Sequence, residues 1–239
     1  MKVNFYWSGK NWEFINRLTI MSHIRVGHEV IMWVNEKSDN EYWIDDLPVQ
    51  IFDAGKHVNT KRMLKVGWNT RTISTIFQYS IMYETGEYTA DCDALALKHW
   101  PDVPLVLCPE GKNLISSVGV LRVPKKHAVL VCANRMANRK WGNVKIFSRC
   151  CRKFRLGSTY ETDQFYPVTY RKGQAYKSLL MDSEIPESYS YHIFNGPYHK
   201  NIKKIDHNLL KKKKYKDSLL KKLSDWSFGD EYCITRKEK

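Results

Sequence analysis

Residues 74–93, STIFQYSIMYETGEYTADCD, contain a helix, its stop, a short strand and two carboxylates in twenty positions. Arg71–Thr85 carries apolar residues at helical spacing and is followed by Gly86, the residue type that most readily closes a helix in the left-handed conformation. Tyr88–Ala90 then reads as a strand leading into Asp91-Cys92-Asp93, after which Ala94–Leu97 resumes an apolar strand pattern. In extended backbone, residues two apart point to the same side, so this spacing aims both carboxylates into one space. Two hard oxygen donors placed that way suit a divalent cation such as Mg²⁺ or Mn²⁺, which prefers carboxylate and phosphate oxygens and leaves positions open. Taken alone, the spacing favours a surface pair or turn over a metal site.

Working outward, residues 2–7, KVNFYW, predict a strand, and Ser8-Gly9 a turn. Apolar residues between Trp12 and Val26 recur at helical spacing and stop at Gly27. Glu29–Val34 is a nearly unbroken apolar run, the mark of a strand covered on both faces, and completes a βαβ unit. A further short strand is predicted over Val49–Phe52, ahead of Asp53-Ala54-Gly55. Val103–Cys108 and His127–Cys132 read as two more buried strands, and Phe165–Tyr170 as a short aromatic strand broken by Pro167. The expectation is an α/β fold: a Rossmann-type mixed sheet flanked by helices, with a loop-rich second half.

The 239 residues carry 39 Lys+Arg against 25 Asp+Glu, a net charge of +14, with 43% hydrophobic residues, enough for a core and too apolar for a disordered chain. Residues 200–239 hold 13 basic and 6 acidic residues, half of the excess, so the chain divides into a main domain at 1–199 and a basic, partly helical C-terminal extension at 200–239. In Asn208–Trp226, Leu209, Leu210, Leu219, Leu220, Leu223 and Trp226 interleave with lysines as part of a basic amphipathic helix. That segment is expected either to meet an anionic membrane surface or to pack its leucines on the domain. No apolar run is long enough to cross a bilayer, and the N-terminus lacks a signal-peptide layout, which predicts a cytoplasmic protein, peripheral to a membrane at most. The six cysteines include no CxxC pair and read as reduced, mostly buried thiols. A P-loop, a dinucleotide glycine fingerprint, zinc-finger spacing and RNA-binding aromatic motifs are absent, so nucleic acid is disfavoured as a partner despite the basic charge.

The residues around the Asp pair resemble the DXD-motif glycosyltransferase family, which includes mannosyl- and galactosyltransferases and bacterial capsular sugar transferases. Ser74 through Asp93 is similar, without a gap, to that family's succession of Ser-Asp, Arg-Tyr, Leu-Tyr-Glu, Gly-Gly and Asp-x-Asp. Phe5-Tyr6-Trp7-Ser8-Gly9 resembles its Trp-containing first strand, Ser22 through Gly27-His28-Glu29-Val30 its Ser...Gly-His-Glu segment, and Val49–Ala54 its strand ending in Asp-Ala. Phe165-Tyr166-Pro167-Val168 is similar to a Phe-Tyr-Pro turn, and His192-Ile193-Phe194-Asn195 with Tyr198 to a late His-Leu-Trp-Asn-x-x-Trp segment.

The resemblance implies a glycosyltransferase-A-like fold, a nucleotide-diphosphate sugar as donor, Mn²⁺ or Mg²⁺ as cofactor, and transfer of a hexose-type sugar with retention to a glycan or lipid-linked acceptor. It places Asp91 and Asp93 in the catalytic and metal site, with His192 and Asn195 completing the metal shell. Trp7, Ser74, Gln78, Tyr79, Asp91 and Asn195 would contact the donor. His192 fits a buried structural histidine equally well. Three positions depart from the pattern: Thr75 replaces the family's Asp, Gln78 its Arg and Glu87 its second Gly. Losing the Asp and Arg removes charged, oriented hydrogen bonds to the donor. A catalytically impaired sugar-nucleotide or glycan binder, and a basic nucleic-acid-binding protein, are the alternative readings.

Overall fold

The computed structural model describes residues 1–138, 144–168, 174–194 and 204–229. β1 (Lys2–Trp7), α1 (Phe14–Arg25) and β2 (Glu29–Val34) form the predicted βαβ unit, and β3 (Gln50–Asp53) pairs parallel to β2. Strict alternation explains why β1 holds the centre. Val3 and Phe5 enter the core on the side of α1, where Phe5 meets His23 edge-on at 4.9 Å. Tyr6 turns to the other face and stacks on Phe77 at 4.8 Å. α2 (Thr60–Lys65) and α3 (Thr70–Thr85) follow, each started by an asparagine, Asn59 or Asn69, whose side chain accepts from a free backbone N–H of the first turn. Gly86, at φ 73°, ends α3 and returns the chain to β4 (Tyr88–Ala90), which pairs parallel to β1.

The sheet order is β3-β2-β1-β4-β6, with β6 (Val120–Leu121) antiparallel to β4. A second, two-stranded sheet joins β5 (Ala94–Ala96) to β7 (Ser190–His192). The chain thus forms the expected mixed, mostly parallel sheet flanked by helices. β1 leads to β2 on one side and neighbours β4 on the other, so the direction of strand succession reverses between β1 and β4. The carboxyl edge beside such a reversal is where open α/β sheets form a crevice.

Three predicted strands differ. His127–Cys132 lies largely in α4 (Ala128–Met136), capped by the His127 imidazole, which accepts from the Val129 N–H at 3.1 Å. Six apolar residues in a row satisfy both periods, and only the continuation through Asn134-Arg135-Met136 makes the run helical. Val103–Cys108 forms a single bridge, Val106 to Arg122, because β6 beside it is only two residues long. At Phe165 the chain ends a short helix, α6 (Thr162–Phe165), built on a capping box between Glu161 and Gln164. Residues 169–170 lie outside the described ones.

α5 (Val144–Lys153) packs beside α4, and both lie against α3 through Tyr79, Leu130, Phe147 and Cys151. α7 (Gln174–Leu179), α8 (His207–Leu210) and α9 (Leu219–Phe228) are the last helices among the described residues. The interleaved segment 208–226 forms these last two helices with a single 3₁₀ turn between them, and Leu210, Leu219, Leu220 and Leu223 share a buried cluster with Phe14, Ile15 and Leu18 of α1. The cysteines among the described residues are free, and all but Cys132 are buried.

Candidate metal centre at the sheet reversal

Phe5 of β1 is opposite Ala90 of β4, so the next residues of β4's chain, Asp91-Cys92-Asp93, leave the sheet at its carboxyl edge beside Trp7. Backbone hydrogen bonds hold this turn in place. The Asp91 N–H donates to the Gly119 carbonyl at 2.9 Å, the Ala94 N–H to the Asp91 carbonyl at 3.0 Å, and the Asn16 amide to the Cys92 carbonyl at 3.0 Å. β7 brings the third member. Ala94 pairs with His192, and the Ile193 N–H donates to the Asp93 carbonyl at 2.9 Å, which sets the imidazole over the aspartates.

His192 Nε2 lies 3.0 Å from Asp93 Oδ1 and 3.7 Å from Asp91 Oδ2. One ligand atom from each of the three residues falls within 4.8 Å of the others. The side chains of His192 and Asp93 are 6% and 12% exposed, whereas Asp91 is 34% exposed, so the group is reached from the Asp91 side. The Gln78 amide donates to Asp91 Oδ1 at 2.9 Å. Burial raises the Asp91 carboxyl to about 6, with Asp93 and Glu110 adding to that and His192 and Gln78 opposing it. For His192, burial alone pushes the imidazole down, but the charge and hydrogen bond of Asp93, then Asp91 and Glu110, lift it to about 9. The recess is thus an excess of carboxylate charge gathered about one imidazolium.

A tight wall fixes that imidazole. A Cβ on Gly119 would lie 2.6 Å from His192 Cε1 and 2.7 Å from Nδ1, so no other residue type fits there without moving the ring. Phe194 packs on the imidazole at 4.1 Å between centroids and Tyr166 at 5.8 Å. Phe194 adopts φ 58°, a conformation that is strained for an aromatic residue and concentrates at binding sites. His192 Nδ1 is buried and has no hydrogen-bond partner among the described residues.

The structure brings Asp91, Asp93, His192 and Gln78 together. Trp7 stands half-buried at the same edge, its indole N–H donated to the Gly9 carbonyl at 2.9 Å and its ring edge-on to Trp12. Ser74 is half-buried one turn before Gln78 on α3. Tyr79 is fully buried and stacked on Phe147 at 5.4 Å. Asn195 lies outside the described residues. Glu87 precedes β4, at the opposite edge of the sheet, and accepts from the Asn4 amide at 3.3 Å. Sequence reasoning did not find Glu110, which accepts from Ser117 at 2.9 Å, or Gly119. The lone glycine within the apolar run Val118–Leu121 was the available signal, since glycine there marks a close approach.

No protein-family model matches the sequence, and no curated protein matches it either. Among solved structures, the PaToxG glycosyltransferase is similar, with a TM-score of 0.51 at 14% identity over 64% of this chain and 69% of that one. At such identity the likeness is one of fold. The chain therefore has a glycosyltransferase-like α/β fold with an Asp-x-Asp-His group at the carboxyl edge where its strand order reverses.

Proposed function

We propose that the chain is a metal-dependent, retaining glycosyltransferase that moves a hexose-type sugar from a nucleotide-diphosphate donor to a glycan or lipid-linked hydroxyl. The observation that carries this reading is the convergence of Asp91, Asp93 and His192 on one point of the sheet reversal. The donor set fits a divalent cation: two carboxylates predominate, and the imidazole can keep a proton on Nδ1, which has no partner among the described residues, while Nε2 turns to the ion. When bound, Mn²⁺ or Mg²⁺ supplies positive charge opposite a departing diphosphate.

The chain's own residues do the rest. Gln78 orients Asp91 by a neutral hydrogen bond, and unlike an arginine it leaves the carboxylate charge free for a cation. Asp93 and His192 hold each other in a ligating geometry, and Gly119 keeps the imidazole from tilting away. Trp7 offers an indole for a nucleotide base to stack against, and Ser74 and Asn195 complete the donor contacts. Retention has the acceptor hydroxyl attack from the face that the diphosphate leaves. We assign the activity to the cytoplasm; among the described residues no helix is long and apolar enough to cross a membrane.

Calorimetry with UDP and GDP, with and without Mn²⁺, tests the reading. Metal-dependent nucleotide binding that disappears in Asp93→Ala is expected. Unchanged binding in that variant, or duplex binding without nucleotide binding, overturns it. One observation favours a second reading, a sugar-nucleotide binder without turnover: the Thr75 hydroxyl donates back to the Arg71 carbonyl at 3.0 Å and supplies no charge in place of the family's Asp. Nucleotide uptake with no consumption of any donor sugar would select it.

A further inference from the structure

Between Gly111 and Tyr160 the chain carries twelve lysines and arginines and no aspartate or glutamate, so this stretch has a local charge of +12. α4 and α5 form its surface, and a groove of about 500 Å³ runs between them. Ala128, Val131, Cys132, Met136, Cys150 and Phe154 make the floor, while Arg135, Arg149 and Lys153 stand on the rim. The floor is uncharged throughout: Cys150 lies 3.6 Å from the Met136 sulfur, and burial pushes its thiol up to about 12. Among the described residues, no ion pair joins a rim cation to a carboxylate, although exposed lysines elsewhere, such as Lys37 and Lys98, have one.

We propose that this groove receives an acyl chain of an anionic phospholipid, with its phosphate held by Arg135, Arg149 and Lys153, and that the α4–α5 lobe seats the protein on an acidic membrane surface. The two halves of the site match the two halves of such a lipid, and a cluster of basic side chains beside it is attracted to an anionic membrane surface. Nucleic acid fits the charge and not the floor, which offers one ring, Phe154, among aliphatic and sulfur atoms where single strands require a series of stacking rings. The lysine-rich C-terminal segment is a weaker membrane contact, because Leu210, Leu219, Leu220 and Leu223 are already buried against α1.

Sedimentation of the full-length chain with vesicles of phosphatidylcholine, with and without phosphatidylglycerol, tests the proposal. Binding to the acidic vesicles alone is expected. Arg149→Glu combined with Lys153→Glu is expected to weaken it at least tenfold, each near-surface charge being worth about fivefold. Both side chains are exposed, so the fold should persist, and Arg149→Gln with Lys153→Gln serves if it does not. Ala128→Trp, which fills the groove and keeps every charge, is also expected to weaken binding. Acidic vesicles should slow alkylation of Cys132, read by mass spectrometry of its peptide. Equal binding to both vesicle types, full binding by either variant, no protection of Cys132, or RNA binding without vesicle binding overturns the proposal. None of these outcomes bears on nucleotide binding.

Discussion

Two buried histidine sites lie on either side of β5 and have opposite charge states. On one side His192 faces Asp93 and Asp91 and is raised to about 9. On the other, His23 and His28 lie 3.0 Å apart between α1, β2 and the Trp100 loop, and burial lowers them to about 4 and about 2. The hydrogen bonds of the second site admit one arrangement. The Trp100 N–H must donate to His28 Nε2 at 3.1 Å, so the His28 proton is on Nδ1 and is given to His23 Nδ1. The His23 proton is then on Nε2 and is donated to the Ala94 carbonyl at 3.0 Å. Ala94 directly follows Asp93, so the neutral relay secures the strand from which the charged recess hangs. Equal burial therefore gives opposite chemistry, and the partner decides it: carboxylates outweigh the cost of burying a charged imidazole at His192, whereas the Ala94 carbonyl offsets that cost only in part at His23 and a second imidazole adds to it at His28.

The contrast breaks most completely at Asp93. Asp93→Ala should abolish Mn²⁺-dependent nucleotide binding by calorimetry, a loss beyond the about 10–100-fold typical of residues that only support a ligand, with the circular dichroism spectrum unchanged. Gly119→Ala tests whether the imidazole must stay where it is. Its Cβ would displace His192, and a loss of cation affinity of about 10–100-fold is expected, with a fall in stability of about 1–3 kcal/mol from the overpacked wall, read by urea titration.

pH separates the two sites. His192 must release its proton to ligate, so cation affinity should rise by up to about tenfold per pH unit as pH approaches about 9. His23 and His28 act on stability with the other sign. Their folded pKa values lie below the ordinary 6.5, so their contribution is complete above that pH. As pH falls below 6.5 the unfolded chain takes up protons that the folded chain refuses, at about 1.4 kcal/mol per pH unit for each histidine, until about pH 4 for His23. Urea titrations between pH 7 and 5 read this slope, and His23→Ala should lower stability by about 1–3 kcal/mol at pH 7 while flattening it. Gln78→Ala sharpens the comparison least. It removes one neutral donor from Asp91 and should weaken cation binding by no more than about tenfold.

How legible each part was depends on how local its cause is. β1, α1, β2, α3 and β4 follow from periodicity and from the stops at Gly27 and Gly86, and the structure matches their predicted bounds to within two residues. The run over His127–Cys132 misled because short apolar stretches fit a buried strand as well as a helix. Asp91 and Asp93 were visible as a pair from their spacing, but the expected extended chain is a turn there, closed by the Ala94 N–H on the Asp91 carbonyl. His192 is 99 residues away from Asp93, and only the pairing of β5 with β7 brings its imidazole to the carboxylates. Glu110 came from a loop with no pattern to read.

By itself, then, the order of residues determined the βαβ unit, the mixed α/β class and the presence of two carboxylates at the close of a strand, because side-chain periodicity and helix stops act over a few residues. Tertiary structure alone decided that one histidine would be charged and two neutral, and that the basic excess of the second half would surround an apolar groove. Charge state and concavity depend on which atoms lie within a few ångströms, and distant segments meet only when the core that joins them is formed.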